Sequence, residues 1–223
     1  MSDPRYREAP TPQGREFGRS FRAEFGDLLA WRRDVRHFRT DPLPAALVDE
    51  LLDLACLAPS VGNAQPWRFV TVDRPESRAA VIANFTAANA QALDGYGGER
   101  AALYTRLKLS GLREAPRHFA VFCDEATEQG AGLGRRTMPE TLRYSAVLAV
   151  HSLWLAARAH GVGIGWVSIL DPEALKRSLD VPAGWSLVAY LCLGYPVAES
   201  LEPELQRVGW QARDSLCRQV LAR

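Results

Sequence analysis

The apolar positions along the chain change period several times, and each change marks an element. Phe21, Phe25, Leu28, Leu29 and Trp31 recur at helical spacing and lead into a basic stretch, WRRDVRHF over 31–38, placed at the end of that helix. Pro42 and Pro44 break the pattern, and Pro44 suits the first turn of a second helix carried by Leu47, Leu51, Leu52, Leu54, Ala55 and Ala58 as far as Pro59. A polar loop, SVGNAQP over 60–66, precedes WRFVTV over 67–72, whose aromatic and β-branched content predicts a strand. Residues 75–92 read as a helix, 93–100 with their three glycines as a mobile loop or lid, and RHFAVFC over 117–123 as a second strand. A glycine-rich loop over 128–139 leads into the apolar run YSAVLAVHSLWLAA, predicted as a buried helix over 140–160. GIGWVSIL over 163–170 and SLVAYLCL over 186–193 predict two more strands with a short helix over 172–179 between them, and 204–223 a basic helical tail. Helices and strands interleave around one sheet without an internal repeat, an α+β or α/β layer architecture.

Composition narrows this picture. The first 16 residues hold three prolines and a glycine and read as a flexible arm, leaving 17–223 as one domain. With 47% hydrophobic and 24% charged residues there is enough apolar chain for a core. Lys and Arg number 27 against 26 Asp and Glu, so the electrostatic footprint of a general nucleic-acid binder is missing. The longest apolar run falls short of the roughly 18 residues a membrane helix needs, and no apolar leader opens the chain, so a cytoplasmic protein without membrane contact is expected. Cys56, Cys123, Cys192 and Cys217 show no metal or disulfide spacing and are expected as buried thiols; His118 and His151 stand singly in apolar stretches and are expected in the core. No metal motif, dinucleotide fingerprint, P-loop or GxSxG elbow is present.

The polar residues that remain fall into small clusters. Arg32, Arg33 and Arg36 place three guanidinium groups within five residues, suited to phosphate or to the carbonyl oxygens of a planar ligand, or else to a solvated patch paired with acids. Asp34 lies among them, where opposite charge keeps it ionised; it is either one side of a salt bridge or a general base beside a ligand. Ser60, Asn63 and Gln65 bring hydroxyl and amide groups to a loop that Gly62 lets bend. Ser168 stands in an apolar strand, where a buried hydroxyl needs a partner. The clusters suit an anion joined to a planar polar heterocycle, and spacing alone takes the chemistry no further.

RRDVRHF over 32–38, APSVGNAQPWRF over 58–69 and GVGIGWVS over 161–168, in that order and at those separations, resemble the nitroreductase-like flavoprotein superfamily. Within it the chain is similar, over roughly 17–215, to the 5,6-dimethylbenzimidazole synthases of cobalamin biosynthesis; ordinary nitroreductases commonly have serine where Asp34 stands. The resemblance implies an α+β nitroreductase-like fold, a central mixed sheet flanked by helices, built as an intertwined homodimer with FMN at the subunit interface. It implies flavin contacts from Arg32, Arg33, Asp34, Val35, Arg36, Ser60, Asn63 and Ser168, with Arg213 as a further phosphate ligand, and a lid over about 93–115. It also implies that reduced FMN is the substrate and is fragmented with dioxygen, without a metal, to 5,6-dimethylbenzimidazole and erythrose 4-phosphate. Asp34 would then move a proton and Ser168 would hydrogen-bond near the reacting face, with reduced FMN supplied by a separate NAD(P)H-dependent flavin reductase. Two other readings stay open at this point: an FMN-dependent NAD(P)H nitroreductase that keeps its flavin, and a flavin carrier without catalysis.

Overall fold

Four strands, β1 (Trp67–Thr71), β2 (Arg117–Asp124), β3 (Gly163–Val167) and β4 (Trp185–Gly194), form a sheet in the order β1-β2-β4-β3 in this computed structural model, which describes residues 14–214 and 218–223. All three ladders are antiparallel. The parallel component of the expected mixed sheet is confined to one isolated bridge between Asp34 and Ile164. Seven helices surround the sheet among the described residues: α1 (Arg19–Trp31), α2 (Ala45–Ala55), α3 (Pro75–Asp94), α4 (Gly98–Tyr104), α5 (Thr141–Ala159), α6 (Pro172–Ser178) and α7 (Glu204–Arg207).

The two central strands are apolar over 119–123 and 187–193 because both of their faces are covered there. Phe119, Val121, Leu191 and Leu193 pack under α2 and α5 with Leu51, Leu153 and Ile164, whereas Ala120, Phe122, Tyr190 and Cys192 face the α3 and α6 side with Val81 and Leu175. The result is three layers, with α5 as the long support beneath the sheet. Its buried face runs Leu142, Ala146, Ala149, Leu153 and Ala157, at the three- to four-residue spacing of a helix stripe. The opposite face is open: Tyr144, Val147 and Leu148 are exposed, as is His151, so neither the helix nor this histidine is buried as expected.

Several expectations are corrected at the edges of elements. The third strand ends at Val167, leaving Ser168 exposed just beyond it. Of the 93–100 segment, expected as a mobile loop or lid, Leu93 and Asp94 end α3 and Gly98 already opens α4, with a tight turn between them. Among the described residues the basic tail is helical for one turn, α7; Cys217 lies outside the described residues, as do residues 1–13 of the arm expected over 1–16. Cys123 and Cys192 are buried thiols, but Cys56 is exposed at the end of α2. No helix among the described residues is long and apolar enough to cross a membrane.

Candidate functional site

The chain leaving α1 is laid along the free edge of β3. Val35 N–H donates to the Ile164 carbonyl at 3.0 Å, and Trp166 N–H, an edge-strand donor with no strand beside it, donates to Asp34 Oδ1 at 2.9 Å. Gly165 permits this approach, because a Cβ there would collide with the Val35 carbonyl oxygen. Further along, Val197 N–H donates to the His37 carbonyl and Arg39 N–H to the Tyr195 carbonyl, so residues 34–39 are held at both ends.

The strap puts Asp34 at the wall of a cleft of about 300 Å³ together with Arg33, Arg36, Trp154, Arg158 and Glu204. Its second carboxylate oxygen accepts from Arg36 Nε at 2.9 Å, and about a third of the side chain, 33%, stays open to the cleft. The pKa of Asp34 is raised above the ordinary carboxylate value of 3.8: burial outweighs the Trp166 N–H and the Arg36 guanidinium, which both pull it down, and Glu204 pushes it up further. Of the neighbouring arginines expected to act on Asp34, Arg36 is the one paired with it, and its pull is outweighed by burial.

The other arginines point elsewhere. Arg32 lies over the Trp154 ring at 4.9 Å, and Trp154 Nε1–H donates to the Arg33 carbonyl at 3.2 Å. Arg33 donates through Nε and Nη2 to the Leu201 carbonyl and through Nη1 to the Arg32 carbonyl. Its pKa is held below the usual guanidinium value by burial first, then by the charges of Arg32 and Arg213. Arg32, Arg33 and Arg213 thus share one positive field, the setting a phosphate dianion would relieve. Arg36 faces inward, to Asp34 and, through Nη1, to the Lys108 carbonyl at 3.2 Å. Val35 uses its N–H on β3 and its side chain on Gly163, so its polar groups face the strand rather than the cleft.

Ser60 and Asn63 lie away from this cluster within the chain. Their loop rests on the first turns of α5, where Ser145 Oγ accepts from Val61 N–H at 3.0 Å, nine residues before Trp154 and so about 14 Å along the helix. Ser60 Oγ accepts from Gln65 N–H at 3.0 Å, and Gln129 Nε2 donates to the Asn63 carbonyl at 3.0 Å and to Gln65 Oε1 at 3.3 Å. Asn63 and Gln65 both take positive φ, 55° and 43°, a conformation held from outside by the 128–134 loop. Gly62 and Gly130 touch there, and a Cβ on Gly130 would stand 2.6 Å from the Gly62 carbonyl oxygen. Ser168 follows Trp166 by two residues and makes no hydrogen bond with the described residues. Trp154, Gln129 and Glu204 were not singled out in the sequence; tryptophan and glutamine at those places carry no local signal, and the Lys108 and Leu201 acceptors are main-chain carbonyls, which no sequence marks.

The nitroreductase family model matches residues 29–195, from the end of α1 through the last strand. The chain belongs to the nitroreductase family. Among its relatives in that family, a 5,6-dimethylbenzimidazole synthase of Rhodospirillum rubrum is 59% identical over 197 residues, 88% of this chain and 93% of the relative. Another 5,6-dimethylbenzimidazole synthase, from Rhodobacter capsulatus, is 50% identical over 87% of this chain and 94% of its own length. The crystal structure of oxidised iodotyrosine deiodinase bound to FMN and 3-iodo-L-tyrosine superposes with a TM-score of 0.68, covering 89% of this chain and 97% of that one at 24% identity, a likeness of nitroreductase fold.

Proposed function

We propose that this nitroreductase-family chain is a 5,6-dimethylbenzimidazole synthase that consumes reduced FMN and dioxygen. Identity of 59% to a synthase across nearly the whole of both chains carries the reading, and the Asp34 geometry agrees with it. When bound, reduced FMN supplies both the electrons that react with dioxygen and the carbon skeleton that leaves as 5,6-dimethylbenzimidazole and erythrose 4-phosphate.

In this reading Arg32, Arg33 and Arg213 hold the phosphate, and their shared field fits a dianion. Asp34 accepts and returns a proton through the carboxylate oxygen that Arg36 steadies, and its raised pKa makes it a better base than an exposed aspartate. Ser168, exposed beside the strand end, offers its hydroxyl to the reacting face. Ser60 and Asn63 supply polar contacts to the ring, Val35 a wall of the cleft. Residues 93–115 act as the lid that keeps water from the reaction. Reduced FMN comes from a separate NAD(P)H-dependent flavin reductase, and the protein works in the cytoplasm.

A homodimer with a shared site is part of the same reading. Nitroreductase-family proteins are commonly homodimers. The arginines and the Ser60 loop meet α5 at Trp154 and Ser145, with exposed Val147 and Leu148 between them. A two-fold pairing across that open face would set one protomer's arginines against its partner's loop.

The test mixes purified protein with chemically reduced FMN without air, admits oxygen and assays 5,6-dimethylbenzimidazole by chromatography with mass detection. Product in proportion to enzyme is expected. Intact oxidised FMN as the sole flavin product would overturn the synthase reading.

A further inference from the structure

Trp210 joins the segment assigned as lid to the segment that carries Arg213. Its ring packs edge-on against Tyr96 with centroids 5.4 Å apart and tilts against Tyr104 at 6.1 Å; Tyr96 and Tyr104 stack at 5.0 Å. The Arg100 guanidinium lies 4.5 Å over the Trp210 ring while its Nη1 donates to the Trp210 carbonyl at 2.7 Å. Tyr104, buried, donates through its hydroxyl to Asn89 Oδ1 at 2.7 Å, anchoring the cluster to α3. On the other side Trp210 N–H donates to the Leu205 carbonyl in α7, and Arg213 N–H donates to Gln206 Oε1 in the same turn. Arg213 in turn acts on Arg33 by charge.

We propose that Trp210 and Arg100 form a latch, two positioning residues through which phosphate binding and closure of the 94–104 segment become one equilibrium. The inference rests on the synthase reading given above. In the synthase reading Arg213 is a phosphate ligand, and seating its side chain on the phosphate fixes the short segment from Trp210 to Arg213, which the Trp210 N–H and Arg213 N–H bonds already tie to α7. What stabilises that segment stabilises the aromatic cluster on it, and by linkage a closed segment binds the phosphate more tightly. With the latch broken, the phosphate still binds its arginines but the reacting ring is open to water. Two electrons and two protons then pass from reduced flavin to dioxygen, giving oxidised FMN and hydrogen peroxide with no carbon bond cleaved.

The experiment compares the full-length protein with Trp210→Ala, Trp210→Phe and Arg100→Met, the last at an exposed position, with thermal melting of each variant checking that the fold is kept. For each, 5,6-dimethylbenzimidazole and hydrogen peroxide are measured per reduced FMN consumed, along with the FMN dissociation constant. Trp210→Ala and Arg100→Met are expected to lower benzimidazole yield at least fivefold with peroxide accounting for the difference, whereas Trp210→Phe stays within twofold of the parent. A second readout needs no turnover: FMN should protect the 94–104 segment from limited proteolysis in the parent, riboflavin, which lacks the phosphate, should not, and Arg100→Met should abolish the difference. Unchanged partitioning with equal protection by FMN and riboflavin overturns the latch. A parent that yields no benzimidazole overturns the synthase reading instead, while the protection experiment still decides the coupling of phosphate to segment.

Discussion

At the scale of single residues the proposed chemistry turns on whether Asp34 is a structural cap or a proton acceptor, and its hydrogen bonds are compatible with both parts. Trp166 N–H and Arg36 Nε each take one carboxylate oxygen, which is how a cap on a strand edge would look. A cap that served only structure would gain from a pKa held low, yet burial raises it. Asp34→Asn keeps an oxygen for Trp166 N–H and leaves Arg32, Arg33 and Arg213 untouched. FMN affinity is therefore expected to change less than threefold while benzimidazole formation falls below detection, checked by equilibrium titration and by product chromatography. In the parent, the acid limb of the rate profile should fall at a pH above the ordinary carboxylate value, because the working form is the deprotonated one and its pKa is raised. Among the described residues the Ser168 hydroxyl has no hydrogen-bond partner to lose. Ser168→Gly is expected to lower the rate of product formation at least tenfold with FMN affinity and melting temperature unchanged; equal losses in rate and affinity would make it a binding residue only.

At the scale of elements, legibility followed the source of each signal. Strands β1, β2 and β4 and helices α3, α5 and α6 were readable to within a few residues because burial on fixed faces imposes a period. The outer face of α5 was misread for the same reason: Tyr144, Val147 and Leu148 are apolar as core positions are, and a sequence does not say which apolar face lies against its own chain. The tail after Glu204 failed differently, since basic composition allows a helix that no packed face stabilises. For the proposed site, Arg32 to Arg36 and Ser60 to Asn63 stand out in the sequence as polar clusters, but not their separation along α5, which depends on long-range packing. The 128–134 loop was legible only as glycine-rich. Its role is to hold Asn63 and Gln65 at positive φ, and Gln129 is the polar side chain that reaches them. Gln129→Ala removes two exposed hydrogen bonds, so stability should fall by no more than about 1 kcal/mol. FMN affinity should fall about three- to tenfold as the loop relaxes, an outcome that titration and thermal melting together separate from global loosening.

At the scale of the molecule, the sheet's α3 and α6 face carries a titration that the site does not use. His118 is buried on β2 with Nδ1 2.9 Å from the Tyr190 hydroxyl, and burial, aided by the charge of Arg78, lowers its pKa from 6.5 to about 3. Arg78 cannot leave, because its guanidinium donates to the carbonyls of Val72, Ala115 and Pro116 and so ties α3 to the ends of β1 and β2. The folded state thus keeps His118 neutral where the unfolded chain protonates it, and below pH 6.5 the unfolded state binds more protons. Stability should then fall as pH drops, approaching about 1.4 kcal/mol per pH unit well below 6.5 and levelling off near the folded value. Asp34 acts in the opposite sense, since its raised pKa favours the folded state as pH falls toward 3.8. Subtracting a variant isolates the histidine: His118→Gln can keep a hydrogen bond to Tyr190 without titrating. Urea unfolding at pH 7.5, 6 and 5 should show the parent losing stability relative to His118→Gln across that interval. Parallel pH dependences would mean that His118 titrates normally, and that the acid sensitivity of this fold comes from its surface carboxylates.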